Sequence, residues 1–146
     1  MSNKGKTLLV VGAAGSAIAA LAHVGCIIFG AEWYRFFGAG EDMAQMAERG
    51  EWYPAAVTSV LVLVLSLWAL YGLSGAGVIR RLPLLRLGLM TISAGYLLRG
   101  VAFVGIMPMF PENSLTFWLV SSAICLSLGL LYAVGTYRAW PLLSEG

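Results

Sequence analysis

Hydrophobic residues along this chain are gathered into four long blocks, and polar residues are largely confined to the segments between them. The blocks cover residues 7–30, 55–73, 87–107 and 115–137. Each block holds roughly the 20 residues that an α-helix needs to cross a hydrocarbon core of about 30 Å. The pattern therefore predicts an all-α, polytopic membrane protein with four transmembrane helices.

The segments between the blocks predict how the helices are connected. Residues 74–86 and 108–114 are short connections, which make successive helices antiparallel neighbours. The first connection, the outer loop 31–54, is longer, and residues 41–49 within it have the pattern of a short interfacial helix. We predict an antiparallel up-down-up-down bundle of four transmembrane helices with a short outer interfacial helix, forming a single membrane-embedded domain over residues 1–146.

Composition and charge support a membrane location and suggest an orientation. The chain is 60% hydrophobic and only 11% charged, whereas soluble domains carry about 25% charged residues. Six basic residues lie at one end of the predicted bundle: Lys4, Lys6, Arg80, Arg81, Arg86 and Arg138. Because Lys and Arg near span ends stay in the cytoplasm, we expect both termini to be cytoplasmic and the protein to lie in a bacterial inner membrane.

The tripeptide Glu-Trp-Tyr occurs twice in the outer loop, at residues 32–34 and 51–53. One copy follows the first span and the other precedes the second. Trp and Tyr favour the membrane–water interface, where an apolar ring and a polar tip are both satisfied. The simplest interpretation is that both copies belong to one outer aromatic belt.

Charged and histidine side chains are nearly absent from the four blocks. The first contains His23 and the third contains Arg99, while the second and fourth contain none. Small residues at helical spacing share the face of His23, which we expect to be a helix contact: Gly12, Ser16, Ala19, Cys26 and Gly30. Burying an arginine costs about 2.5–3.5 kcal/mol on insertion scales, so Arg99 is expected to have a partner or a function.

The predicted depths place Arg99 and His23 in the outer half of the membrane, beneath the outer loop. The candidate polar cluster comprises His23, Arg99, Tyr96, Glu32, Glu51 and Tyr53. In one interpretation, Arg99 extends outward and pairs with Glu32, Glu51 or Glu112, which fastens the loop. In the other, Arg99 and His23 line an outward-opening cavity for a lipid, a quinone or an amphipathic acid.

Several kinds of chemistry lack the residues they need. One histidine cannot supply a bis-histidine haem within one chain, a zinc site lacks ligands, and neither Cys26 nor Cys125 is part of a CxxC pair. We expect no cofactor and no metal. The only basic cluster, residues 80–86, adjoins two spans and is explained by membrane orientation, so nucleic acid is not an expected partner.

The residues favour a non-enzymatic inner-membrane protein. We expect it to bind a lipid-like or amphipathic ligand, or a partner subunit, through the candidate polar cluster. A small carrier or channel that acts as an oligomer is one alternative, and a membrane enzyme acting on a lipid-borne substrate is another. A homo-oligomer or a larger membrane complex is compatible with each of these functions.

Four strings between residues 32 and 100 suggest a resemblance: EWYRFFGAGE, YP, LSGAGVIRRLPLLR and YLLRG. In these strings the chain resembles small uncharacterised four-helix proteins of the bacterial inner membrane. The resemblance implies a four-helix membrane fold. It implies no activity, because none is assigned to such proteins.

Overall fold

The computed structural model describes residues 2–111 and 113–143. In these residues it contains six α-helices, one short 3-10 helix and no strands. The α-helices are α1 (Ser2–Phe29), α2 (Ala31–Phe36), α3 (Glu41–Glu48), α4 (Tyr53–Gly75), α5 (Leu85–Ile106) and α6 (Leu115–Leu143), with the 3-10 helix at Met107–Met109. The prediction of an all-helical chain is confirmed.

Four of these helices, α1, α4, α5 and α6, are long and apolar enough to cross a membrane. They coincide with the four hydrophobic blocks, and Pro54 lies in the first turn of α4, where the missing N–H costs no helical hydrogen bond. The last helix extends beyond the predicted end at residue 137 to Leu143. Ala139 and Leu143 are buried against other helices, and this packing accounts for the additional turns.

The four long helices pack through a shared core. Helix α1 lies along α4 and α6, and α5 lies along α6 and α4. Tyr132 is fully buried at the centre, and a Cβ at Gly12 or Gly72 would lie 3.0–3.1 Å from its side chain. Glycine at both positions lets α1 and α4 approach the tyrosine ring. The predicted small-residue face of α1 is therefore a helix contact at Gly12 and Ser16.

The connection between α4 and α5 is held by side chains at the basic end of the helices. Ser74 Oγ donates to the carbonyl of Arg80 at 3.1 Å and accepts from the N–H of Leu82 at 2.9 Å. Arg86 donates to the carbonyl of Trp140 at 2.7 Å and stacks over its ring. These contacts join α4, α5 and α6 at one end.

The outer loop contains one helix more than predicted. Helix α3 lies within the predicted residues 41–49, but α2 was not anticipated, because its six residues are too few for a periodic pattern. Tyr34 of α2 is only 4% exposed and packs with Cys26 and Ala44. Its hydroxyl is hydrogen-bonded to Thr58 Oγ1 at 3.1 Å, and Tyr34 is the donor because Thr58 gives its only hydrogen to the carbonyl of Pro54 at 2.7 Å. Helices α2 and α3 are thus packed against α1 and α4.

The two Glu-Trp-Tyr copies have different environments, which corrects the interpretation of a single aromatic belt. Tyr34 is buried, whereas Tyr53 is 47% exposed. Trp33 stacks on Phe29 and covers Gly25, where a Cβ would lie 2.3 Å from the indole ring. The first copy is thus fastened to α1 because Gly25 leaves room for its tryptophan, and only the second resembles an interfacial pair.

Candidate functional site

Arg99 lies on α5 and is directed towards α6. Its Nη2 donates to Ser121 Oγ at 2.9 Å, and its guanidinium carbon lies 5.5 Å from the centroid of the Trp118 ring. The arginine is half-buried, whereas Trp118 is only 2% exposed. We call Arg99, Trp118, Ser121 and Ser122 the Arg99 cluster.

Three polar atoms of the Arg99 cluster are buried without a hydrogen-bond partner. They are Arg99 Nη1, Trp118 Nε1 and Ser122 Oγ. Ser122 follows Trp118 by one helical turn, so both lie on the same face of α6. A buried donor or acceptor left unsatisfied costs about 1–3 kcal/mol, and most native buried polar groups are paired. One of the three atoms belongs to the guanidinium itself, and the other two lie on the face of α6 that carries Trp118, whose ring is 5.5 Å from the guanidinium carbon.

The carboxylates predicted to pair with Arg99 lie elsewhere or outside the described residues. Glu32 pairs with Arg35, and Glu51 pairs with Arg49. Each of these arginines is within three residues of its acid, so the loop satisfies its own acids. Glu112, the third predicted partner, lies outside the described residues. Among the described residues, no carboxylate forms an ion pair with Arg99.

His23 is held by its own helix. Its Nδ1 lies 2.7 Å from the carbonyl oxygen of Ala19, and because a carbonyl oxygen only accepts, Nδ1 carries a proton. The ring is half-buried. Within the described residues, no hydrogen bond or ion pair joins it to Arg99.

Tyr96 belongs to a chain of buried hydroxyl groups that joins all four long helices. Tyr132 Oη donates to the carbonyl of Trp68 at 2.9 Å, which uses its only hydrogen. The 3.0 Å bond between Ser16 and Tyr132 must then be donated by Ser16. Ser16 in turn accepts from Tyr96 at 2.6 Å. We call Tyr96, Ser16, Tyr132 and the Trp68 carbonyl the hydroxyl chain.

The hydroxyl chain has one consistent direction, and every hydrogen in it is donated once. Ser16 and Tyr132 are fully buried, and Tyr96 is 6% exposed. Sequence reasoning placed Tyr96 in the polar cluster with Arg99 but missed its bond to Ser16. The sequence did place Ser16 on the predicted contact face of α1. The partner of Ser16 could not be predicted, because it depends on how α5 is rotated about its axis.

Arg35, which the sequence analysis did not single out, organises the outer loop. Its guanidinium lies 2.7 Å from Glu32, 2.7 Å from Glu41 and 2.8 Å from Glu48. The surrounding carboxylates raise the pKa of Arg35, and the hydrogen bond from Arg35 lowers the pKa of Glu41. The signal was a single arginine, three residues after Glu32, in a loop rich in acids.

Among the described residues, no hydrogen bond or ion pair joins any two of the six predicted site residues. Glu32 and Glu51 are exposed on the outer loop, Tyr53 is exposed at the start of α4, and Tyr96 is buried in the hydroxyl chain. His23 and Arg99 are half-buried and contact different residues. In the described part of the chain, no group of three or more His, Cys, Asp and Glu residues is arranged to hold a metal ion.

Comparison of the chain with protein-family models, with curated proteins and with solved structures gave no match. The site must therefore be interpreted from its own chemistry. The Arg99 cluster offers a charged N–H, an indole N–H and a hydroxyl in a buried position. These groups suit the oxygen atoms of a carboxylate, a phosphate or a quinone carbonyl.

Proposed function

We propose that this protein is an integral membrane protein that binds the polar headgroup of an amphiphile at the Arg99 cluster. The observation that carries the proposal is that three polar atoms are buried without a partner: one nitrogen of the guanidinium, the indole nitrogen of the neighbouring Trp118, and the hydroxyl of Ser122 one turn along the same face of α6. An intramembrane arginine that meets no carboxylate among the described residues has a charge to be compensated. An acidic headgroup supplies that charge and accepts the free hydrogen bonds.

The surroundings of the cluster favour a ligand with a hydrocarbon tail. Arg99 lies seven residues before the end of α5, about 10 Å along the helix. Leu98, the residue before Arg99 on α5, and Leu119, the residue after Trp118 on α6, are more than half exposed. A tail can follow these apolar side chains while the headgroup reaches Arg99, so an amphipathic acid or a phospholipid fits better than a free anion.

The proposal includes a location in a bacterial inner membrane with both termini in the cytoplasm and antiparallel neighbouring helices. Two contacts support the topology. Gly5 near the start of α1 approaches Ala139 near the end of α6, and Asn113 before α6 donates to the carbonyl of Gly38 in the outer loop at 3.1 Å. Basic residues at the first of these ends support its cytoplasmic placement.

Lipid mass spectrometry of the protein purified in a mild detergent tests the ligand. We expect an acidic amphiphile to leave the membrane with the unmodified protein and to be depleted about 10- to 100-fold from Arg99→Leu, because a hydrogen bond to a charged group contributes about 1.5–3 kcal/mol. Trp118→Phe keeps an aromatic ring and removes Nε1–H, so a smaller depletion is expected.

Two control variants separate this site from other charges. Arg80→Leu makes the same chemical change at an exposed position of the basic end and should keep the amphiphile. Glu112→Gln tests the alternative that Arg99 is neutralised by that carboxylate, and it should also keep the amphiphile. Equal retention by Arg99→Leu and the unmodified protein would overturn the proposal. The carrier and enzyme alternatives stay predictions.

A further inference from the structure

A second candidate site lies at the opposite, basic end of the protein, between α1 and α6. It is a cleft of about 530 Å³ lined by Lys4, Thr7, Leu8, Val134 and Arg138. None of these residues contributes to the Arg99 cluster. The cleft therefore has to be explained separately from the proposed function.

Close contact of the two helix backbones forms one boundary of this region. A Cβ on Gly5 would lie 3.0 Å from the backbone nitrogen of Ala139 and 3.1 Å from the carbonyl oxygen of Gly135. Glycine allows this approach because it adds no side chain. The larger residues Leu8 and Val134 lie on the neighbouring cleft surface, so the cleft follows the line along which α1 and α6 meet.

Both helices place the same two types of side chain along the cleft, in the same order from the end of the protein towards its centre. On α1, Lys4 precedes Leu8 by four residues, and on α6, Val134 precedes Arg138 by four residues. Residues four apart lie one above the other on a helix face. Each helix therefore has a cation near its terminal end and an aliphatic side chain one turn nearer the centre of the protein.

This order matches the structure of a phospholipid at a membrane surface. Two cations at the mouth suit a phosphate diester, and the aliphatic residues behind them suit the start of an acyl chain. Lys4 and Arg138 are exposed, and neither forms an ion pair with a carboxylate among the described residues. A free phosphate would use the cations but not the apolar surface.

We propose that the α1–α6 cleft binds the headgroup of an anionic phospholipid from the cytoplasmic leaflet. Lys4 and Arg138 hold the phosphate, and Leu8 and Val134 contact the acyl chain. The site is independent of Arg99 and of the amphiphile proposed there. We expect the site to select anionic over zwitterionic headgroups, because two cations line the same cleft.

Titration of the purified protein with phosphatidylglycerol and with phosphatidylcholine, followed by native mass spectrometry, tests the site. We expect phosphatidylglycerol to bind more tightly. Arg138→Gln should weaken its binding about fivefold, because one cation near an anionic headgroup contributes about 1 kcal/mol, which corresponds to that factor. Lys4→Gln combined with Arg138→Gln should weaken it about 25-fold. Arg80→Gln removes one charge from the same end outside the cleft and should leave the affinity within about twofold of the unmodified value.

Further variants separate the possible occupants. Val134→Trp fills the apolar part and should weaken phosphatidylglycerol binding while both cations remain. Inorganic phosphate at the same concentration should not compete, and full competition by phosphate would overturn the lipid assignment. Equal weakening by Arg80→Gln and Arg138→Gln would also overturn it, because that result indicates attraction to the whole basic end. Arg99→Leu should leave this affinity unchanged, so failure here is distinct from failure of the proposed function.

Discussion

The hydroxyl chain and the Arg99 cluster are both polar regions between the long helices, but only the hydroxyl chain has its hydrogen bonds completed by the protein. Tyr96, Ser16 and Tyr132 each donate once, ending at the carbonyl of Trp68. In the Arg99 cluster, three polar atoms have no partner. The completed chain is suited to holding helices together, whereas the incomplete cluster is the place where we propose that a headgroup binds.

The difference follows from what each region requires of its neighbours. A hydroxyl group is satisfied by another hydroxyl or by a backbone carbonyl, and the four helices supply both. A guanidinium has five N–H donors and a full charge, and Ser121 accepts only from Nη2. Without a contacting carboxylate among the described residues, α5 and α6 alone leave Arg99 incompletely paired.

The largest effect is expected from Tyr132→Ala, which removes the centre of the hydroxyl chain and leaves a cavity. Tyr132 is fully buried, so the free energy of unfolding should fall by about 3–5 kcal/mol, measured by denaturant titration in mixed micelles. Tyr137→Ala changes an 81% exposed tyrosine on the same helix and should lower it by less than about 0.5 kcal/mol. Similar losses in both variants would contradict a central role for Tyr132.

At the Arg99 cluster, the free energy of unfolding is not expected to fall when the polar side chain is removed. In protein stripped of lipid, Arg99→Leu should leave the free energy of unfolding unchanged or raise it by up to about 3 kcal/mol, because the cost of burying a guanidinium is removed. The same denaturant titration measures this. A loss as large as that of Tyr132→Ala would mean that Arg99 is a structural residue, and the contrast between the two regions would fail.

Ser16→Ala breaks two hydrogen bonds of the hydroxyl chain without leaving a large cavity, so it tests the contribution of those bonds alone. Hydrogen bonds between membrane helices contribute about 0.6 kcal/mol each on average, so we expect a loss of about 1 kcal/mol. Ser127 is the matched control, since its hydroxyl is exposed and, among the described residues, bonds only to Ala123 of its own helix. Ser127→Ala should have no measurable effect, and equal effects of the two changes would contradict the chain.

The smallest effect is expected at Arg35, where carboxylates complete the pairing that Arg99 lacks. Because Arg35 lowers the pKa of Glu41 below its ordinary value of 4.5, the stabilisation is present above that value and is lost as the pH falls through the lowered pKa. The protection of the α3 amides, expressed relative to the intrinsic exchange rate at each pH, should therefore fall in acid. Arg35→Gln should abolish this pH dependence, and an unchanged profile in that variant would exclude the ion-pair explanation.

Much of the fold was predictable because it depends on local composition. The four hydrophobic blocks predicted the four long helices, and the pattern at residues 41–49 predicted α3. Helix α2 was missed because it is short and is stabilised by packing: Tyr34 bonds to Thr58, which lies 24 residues away. The length of α6 was underestimated for the same reason, since the burial of Leu143 depends on contacts with other helices.

The candidate site was predictable only in part. The sequence singled out Arg99, because one guanidinium in an apolar block is unusual whatever surrounds it. Its contacts with Ser121 and Trp118 could not be predicted, since they depend on how α5 is rotated against α6. His23 and Tyr96 shared its predicted depth, yet their contacts are with α1 itself and with Ser16.

By itself, the sequence determined that four apolar helices form, that basic residues gather at one end, and that Arg99 is set among hydrophobic residues. These properties follow from hydropathy and charge, which each segment carries whatever its neighbours are. Only the tertiary structure decided which polar groups of different helices meet: it joined Ser16 to two tyrosines, brought Glu41 and Glu48 of α3 to Arg35 of α2, and placed Arg99 of α5 against Ser121 and Trp118 of α6. A hydrogen bond forms over about 3 Å, so small rotations and shifts of the helices decide which partners are in reach.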